Sequence, residues 1–208
     1  GPPFLKDRDG KETKQGAYFL AANRGKKSIT LDLSTEQGQA IVRKLALQSD
    51  ILIENYKVGT LERYGLGYKE LSALNPKLIY CSVTGFGQSG PLCEQPAYDF
   101  LIQALGGLMS VTGLPDGEPQ KVGIPIVDLV TGIYSSVGIL AAIALREKTG
   151  VGSHIDVAML DVQVGLLSNQ AMNYLVGGKT PMRTGNALPN IQSQQVFSAR
   201  DADFIIVV

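Results

Sequence analysis

The chain has 208 residues, of which 44% are hydrophobic, with Lys plus Arg and Asp plus Glu both at 19. That length holds one sizeable core, and the composition is ordinary for a globular protein. Zero net charge argues against nucleic acid or an anionic membrane recognised by bulk charge.

Two cysteines and one histidine make no disulfide framework, no metal-ligand cluster and no Ser-His triad. Cys81 lies in an apolar run and reads as core, whereas Cys93 follows a Gly-Pro turn and reads as exposed. No secretory signal is visible. The apolar run at Ile139 to Leu145 is far shorter than the ~20 residues a membrane span needs. The expectation is a cytoplasmic protein with no membrane partner.

In chain order, Gly1 to Gly16 is polar and reads as loop. Ala17 to Asn23 is a short apolar segment before a basic knot, Asn23-Arg24-Gly25-Lys26-Lys27. The knot could steer a phosphorylated ligand, but a charged run is commonly a solvated turn. Ser28 to Leu33 alternates apolar and polar side chains as a strand does. Ser34-Thr35-Glu36-Gln37 looks like a capping box opening a helix continued by Ala40, Ile41, Lys44, Leu45 and Leu47. Ile51 to Ile53 predicts a buried strand ending at Glu54-Asn55-Tyr56. Helices follow over about Thr60 to Tyr64 and over Tyr68 to Leu74, before Asn75-Pro76. Leu78 to Val83 is the next strand, opening into the glycine-rich Thr84 to Pro91. That loop has neither dinucleotide nor phosphate-loop spacing, and a mobile loop is its default reading. A helix over Tyr98 to Met109 and a turn over Leu114 to Gly117 come next. The chain closes with a strand over His154 to Met159, a helix over Leu160 to Leu175 and a strand over Phe204 to Val208. His154 itself reads as capping the turn before its strand.

The stretch Gly123 to Gly150 organises the rest. An apolar run, Ile124 to Val127, meets Asp128, and a helical pattern through Ile133, Val137, Leu140 and Ala144 follows. Arg146, Lys148 and Gly150 mark its end. Small residues fill the remaining surface, so the helix reads as buried. Asp128 at its start is either an N-cap or a carboxylate held ionised by free N–H groups and the helix dipole. Alternating strands and helices predict α/β architecture with a mainly parallel sheet. Ligands of such sheets sit beyond the C-terminal strand ends, here Glu54-Asn55-Tyr56, the Thr84 to Gly90 loop and Asp128.

Several blocks in one order resemble the family III CoA-transferases of the formyl-CoA, carnitine and succinyl-CoA:dicarboxylate type. They are NRGKKSITLDL, DILIENYKVGTLERYGLGYKEL, NPKLIYCSVTGFGQSGP, YDFLIQALGGLMSVTG and DLVTGIYSSVGILAAIALREKTGVGSHIDVAMLD. The resemblance implies a Rossmann-like fold in which residues 1–208 form most of the large domain. It places the N-terminal strand, the small domain and a glycine-rich covering loop outside this stretch, as in a protein about twice as long. It implies nucleophilic attack by Asp128 on an acyl-CoA thioester, giving an aspartyl–acyl anhydride and then an aspartyl-CoA thioester. CoA contacts carry over to Leu31, Asn55, Tyr56, Arg63, Tyr64, Tyr98 and Met159, with Arg63 on a nucleotide phosphate. A surface ion pair with Glu62 or Glu70 is the plainer reading of Arg63. CoA is then a substrate, with no resident cofactor and no metal. The acceptor is a small carboxylic acid, succinate or glutarate among the candidates, and the intact protein is an interlocked homodimer. The α-methylacyl-CoA racemases are similar but carry a histidine where this chain has Tyr98, which removes one of the two acid/base groups that racemisation needs. A non-catalytic CoA-binding paralogue is the remaining alternative.

Overall fold

The computed structural model describes residues 2–191, 196–198 and 200–205. The N-terminal stretch is not loop. It forms an antiparallel hairpin of β1 (Phe4–Lys6) and β2 (Glu12–Gly16). Asp7 builds the turn, its Oδ1 accepting the N–H groups of Asp9 and Lys11, each at 2.9 Å. β1 is only three residues long and β2 carries polar side chains on both faces, so no apolar alternation marks them. The apolar Ala17–Asn23 follows as α1, and the basic knot after it is an exposed turn.

Ser28 to Leu33 forms no strand. Its backbone joins no ladder among the described residues, and Ile29 is 64% exposed. Alternation gives a segment the side-chain pattern of a strand; only a neighbour makes it one. α2 (Glu36–Leu47) is capped by Thr35, whose hydroxyl accepts from the Gly38 N–H at 3.1 Å. The capping box is only half present, since the position that should answer with Glu or Gln is Gly38.

β3 (Ile51–Glu54), β4 (Ile79–Thr84) and β5 (His154–Ala158) form a parallel sheet with β4 in the middle. Between β3 and β4 lie a 3-10 turn at Glu62–Tyr64, shorter than the expected helix, and α3 (Tyr68–Leu74). Leu71 of α3 and Ala46 of α2 pack with Leu66, Leu78 and Tyr80 on one face of the sheet. α4 (Asp99–Leu105), α5 (Leu108–Val111) and α6 (Ile126–Thr149) connect β4 to β5. α6 and α7 (Met159–Leu166) cover the other face, where Ile139, Ala142 and Val162 meet Ile79, Cys81 and Val157. Cys81 is fully buried there, and burial pushes its thiol pKa up, as suits an inert core residue. α8 (Ser168–Leu175) follows, then an antiparallel pair, β6 (Val196–Ser198) and β7 (Asp203–Ile205). Residues 206–208 of the expected last strand lie outside the described residues.

Further expectations change. The helix over Tyr98 to Met109 is broken into α4 and α5 at Gly106-Gly107, where Gly107 has φ +87°. The helix over Leu160 to Leu175 divides after Leu166, with Ser168 at φ 45°. α6 is buried on one face only: Val127, Thr131, Ser135, Ile139 and Ala142 point inward, while Ile133, Val137 and Leu140 are at least 60% exposed. By length and composition α6 could cross a membrane, a property hidden in the sequence because Ser and Gly break up the apolar run. Its inner face, however, packs on the sheet as a core helix does. His154 opens β5 rather than capping a turn. Its ring stacks on Tyr68 at 4.7 Å, and its Nε2 lies 2.9 Å from Ser82 Oγ.

Candidate active site

The three expected strand-end segments meet. A cleft of about 700 Å³ opens at the C-terminal ends of β3 and β4. Its walls are Ile53 to Val58, Val83 to Gly85, Cys93, Gln95 to Tyr98, Met159, and Asp128, Thr131 and Gly132 of α6. Gly85 allows the wall to close, because a Cβ there would stand 2.2 Å from the Ala97 Cβ. The glycine loop beyond β4 is tied rather than free. Thr84 Oγ1 accepts from the Gly87 N–H and Asp156 Oδ2 from the Gln88 N–H, both at 2.9 Å.

Asp128 is not the N-cap of α6. Pro125 holds that position and Asp128 is the third helical residue. The donors at the helix start go instead to Asp99, whose Oδ2 accepts from the N–H of Val127 at 2.8 Å and of Asp128 at 3.3 Å. The expected direction of the electrostatics is therefore reversed. Lost hydration, and after it the negative charge of Asp99, push the Asp128 pKa above its ordinary value. A carboxylate so placed is more basic than a free one and correspondingly more nucleophilic.

Of the sequence-predicted contacts, Asn55, Tyr56, Tyr98 and Met159 share the cleft with Asp128. Leu31, Arg63 and Tyr64 lie outside it. Leu31 is half-buried ahead of α2, and Tyr64 packs against the α2–α3 core. Arg63 is exposed and pairs with neither Glu62 nor Glu70; the ion pair among the described residues joins Arg146 to Asp50 at 3.1 Å. Cys93, expected to be exposed, is half-buried on the cleft wall.

Sequence reasoning missed three residues. Asp99 reaches α6 from another helix, and the signal that could have found it is Pro125, which leaves the helix start without a side-chain acceptor. Gln103 is fully buried; its Nε2 donates to Asp99 Oδ1, and its Oε1 accepts from the Val122 N–H at 2.9 Å. Thr131, one turn beyond Asp128, is 2% exposed, and its hydroxyl has no partner among the described residues. Among those residues there is also no group of three or more His, Cys, Asp and Glu that could hold a metal.

The sequence matches CoA-transferase family III over residues 5–208. It is 50% identical over 208 residues to the succinate–glutarate CoA-transferase of Agrobacterium fabrum, covering 100% of this chain and 52% of that protein. It is 44% identical over 193 residues to the acetyl-CoA:oxalate CoA-transferase of Acetobacter aceti, covering 92% of this chain and 50% of that one. The chain thus spans about half the length of the curated relatives it matches. It superposes with a TM-score of 0.89 on the crystal structure of a CAIB/BAIF family protein from Brucella suis, at 52% identity over 99% of this chain and 54% of that one.

Proposed function

This chain belongs to CoA-transferase family III, and from that membership we propose that the protein moves CoA from an acyl-CoA to a carboxylic acid, with Asp128 as nucleophile. The observation that carries the proposal is the place of Asp128: on the wall of the cleft where β3 and β4 end, in surroundings that raise its pKa.

An Asp128 oxygen attacks the thioester carbonyl, the C–S bond breaks, and CoA leaves as thiolate from an aspartyl–acyl anhydride. The thiolate then attacks the Asp128 carbonyl, the acyl carboxylate departs, and an aspartyl-CoA thioester remains. The acceptor carboxylate repeats the sequence in reverse and frees Asp128. The first step sets a carboxylate against a thiolate, with ordinary pKa values of about 3.9 and 8.5. Raising the pKa of Asp128 narrows that gap, which is the use of a half-desolvated carboxylate here.

Asn55, Tyr56, Tyr98 and Met159 form the CoA path beside Asp128, and Leu31, Arg63 and Tyr64 extend it toward the nucleotide. The names of the relatives favour small dicarboxylates, succinate and glutarate among them, as acceptors. On the same reading residues 1–208 make up most of the large domain of an interlocked, cytoplasmic homodimer.

The test incubates the intact protein with acyl-CoA, traps with hydroxylamine and maps the modified peptide. Modification at Asp128 in the parent, with none in Asp128→Asn, is expected, together with a loss of CoA exchange of roughly several orders of magnitude. An adduct mapped to Asp99, Asp156 or Asp161 refutes the assignment. Separately, Arg63→Ala is expected to weaken CoA binding by about 1.5–3 kcal/mol, the range for a hydrogen bond to a charged group. Equal affinity by calorimetry would leave Arg63 a plain surface residue.

A further inference from the structure

α6 begins on a proline. Pro125 offers no side-chain oxygen to the N–H groups of the first turn, which need an acceptor. Asp99, the first residue of α4, supplies it to Val127 at 2.8 Å and Asp128 at 3.3 Å through Oδ2. Its Oδ1 is held in turn by the buried Gln103, which also accepts from the Val122 N–H at 2.9 Å. The Asp99 carboxylate is fixed from both sides, and the entry to α6 is tied to α4.

We propose that Asp99 is a positioning residue of the transfer reaction: it takes the N–H groups at the α6 start, and so fixes Asp128 at the cleft while keeping those donors off its carboxylate. The inference rests on Asp128 being the nucleophile. A carboxylate stabilised by helix-end donors is a weaker attacking group, so the arrangement spends the donors on one acid and leaves the other free. The other ionisable groups of the cleft are Glu54 at the end of β3, Tyr56 and Lys57 after it, and Cys93 and Tyr98 before α4. β4 and α7 add only the uncharged Val83, Thr84 and Met159. Of the acids near Asp128, Asp99 is the one whose charge pushes its pKa up.

The test compares the intact parent with Asp99→Asn and Asp99→Ser. Both remove the charge; Asn keeps an acceptor at the reach of Oδ2, whereas Ser is too short for that contact. CoA exchange is followed against pH, CoA affinity is measured separately, and trapping at Asp128 is run in parallel. The acid limb of the kcat/KM profile is expected to move to lower pH in both variants. Above that limb kcat falls as well, following the lower basicity of the nucleophile, while the Kd for CoA stays unchanged. An unmoved limb with undiminished kcat makes Asp99 a helix cap only and overturns the proposal, even with Asp128 still trapped in the parent. No adduct at Asp128 in the parent defeats the nucleophile assignment, and this inference falls with it. If neither variant folds, a 13C titration of the parent carboxyls decides: the Asp128 signal should also respond at the step where Asp99 ionises, and independent single-step curves overturn the proposal.

Discussion

Asp128 sets reactivity against stability. Its folded pKa is raised by lost hydration and by Asp99. A raised pKa contributes stability that is fully present below the unfolded pKa, about 3.9 for Asp, and is lost as pH rises through the folded value. Above that window the ionised Asp128 weakens the fold. Asp128→Asn is therefore expected to melt above the parent at neutral pH, with the difference closing as pH falls to about 3, near that unfolded value; calorimetry across pH checks both ends. Thr131 gives a second case. Its buried hydroxyl is unpaired among the described residues, and a buried unsatisfied group costs about 1–3 kcal/mol. Thr131→Val keeps the shape and is expected to raise the stability of the intact protein by about 1 kcal/mol. A fall of that size in a urea melt would show that the hydroxyl has a partner beyond the described residues. At this scale the sequence shows which side chains have chemistry, and the blocks shared with the family single out Asp128. It does not show Asp99 acting on α6, because that contact joins a side chain to backbone 28 residues away; Pro125 marks the missing acceptor but not which residue supplies it.

Elements were legible where apolar runs and breakers coincide. β3, β4, β5 and α3 stand within a residue or two of their expected places, since Val, Ile and Leu runs ended by Asn-Pro or Gly admit few readings. The β1–β2 hairpin was illegible because β1 is three residues long and β2 is polar on both faces, and Ser28 to Leu33 misled because alternation does not supply a neighbour. The break between α4 and α5 falls at the Gly106-Gly107 pair, where Gly107 has φ +87°, and beside it lies a contact visible only in three dimensions. Gly106 touches Gln163 of α7: an added Cβ would stand 2.3 Å from its Cγ, and Gln163 Nε2 donates to the Gly106 carbonyl at 2.8 Å. Gln163 is fully buried and cannot swing away at no cost. Gly106→Ala is expected to destabilise the intact protein by about 1–3 kcal/mol, the usual range for overpacking. Because α4 carries Asp99, the same substitution should disturb the α6 entry and lower CoA exchange as well. A parent-like melting temperature would mean that α4 and α7 separate easily, contrary to the packing described.

At the scale of the molecule, one surface is out of character. Leu129, Ile133, Val137 and Leu140 follow each other along the outer face of α6 at 46%, 60%, 60% and 66% exposure. Their spacing of four, four and three keeps them on one stripe. A helix apolar on both faces is the signature of one covered on both, whereas among the described residues α6 is buried on its inner face only. The curated relatives are about twice as long as this chain; on the proposed reading, the remainder of the large domain or the partner chain of the homodimer covers the stripe. The stripe runs along the same helix that carries Asp128, so what covers it also fixes the cleft. Leu140→Lys in the intact protein is therefore expected to cost about 2 kcal/mol or more, the transfer energy of a buried leucine, and to lower the melting temperature by several degrees. Glu147→Ala, at an exposed site on the same helix, should stay within about 0.5 kcal/mol of the parent. If sedimentation shows a dimer that Leu140→Lys converts to monomer, the partner chain covers the stripe. A dimer that survives with a lowered melting temperature assigns the cover to the rest of the same chain. A variant that melts with the parent and keeps its mass would show that the stripe faces water, and the exposed leucines would then need another explanation.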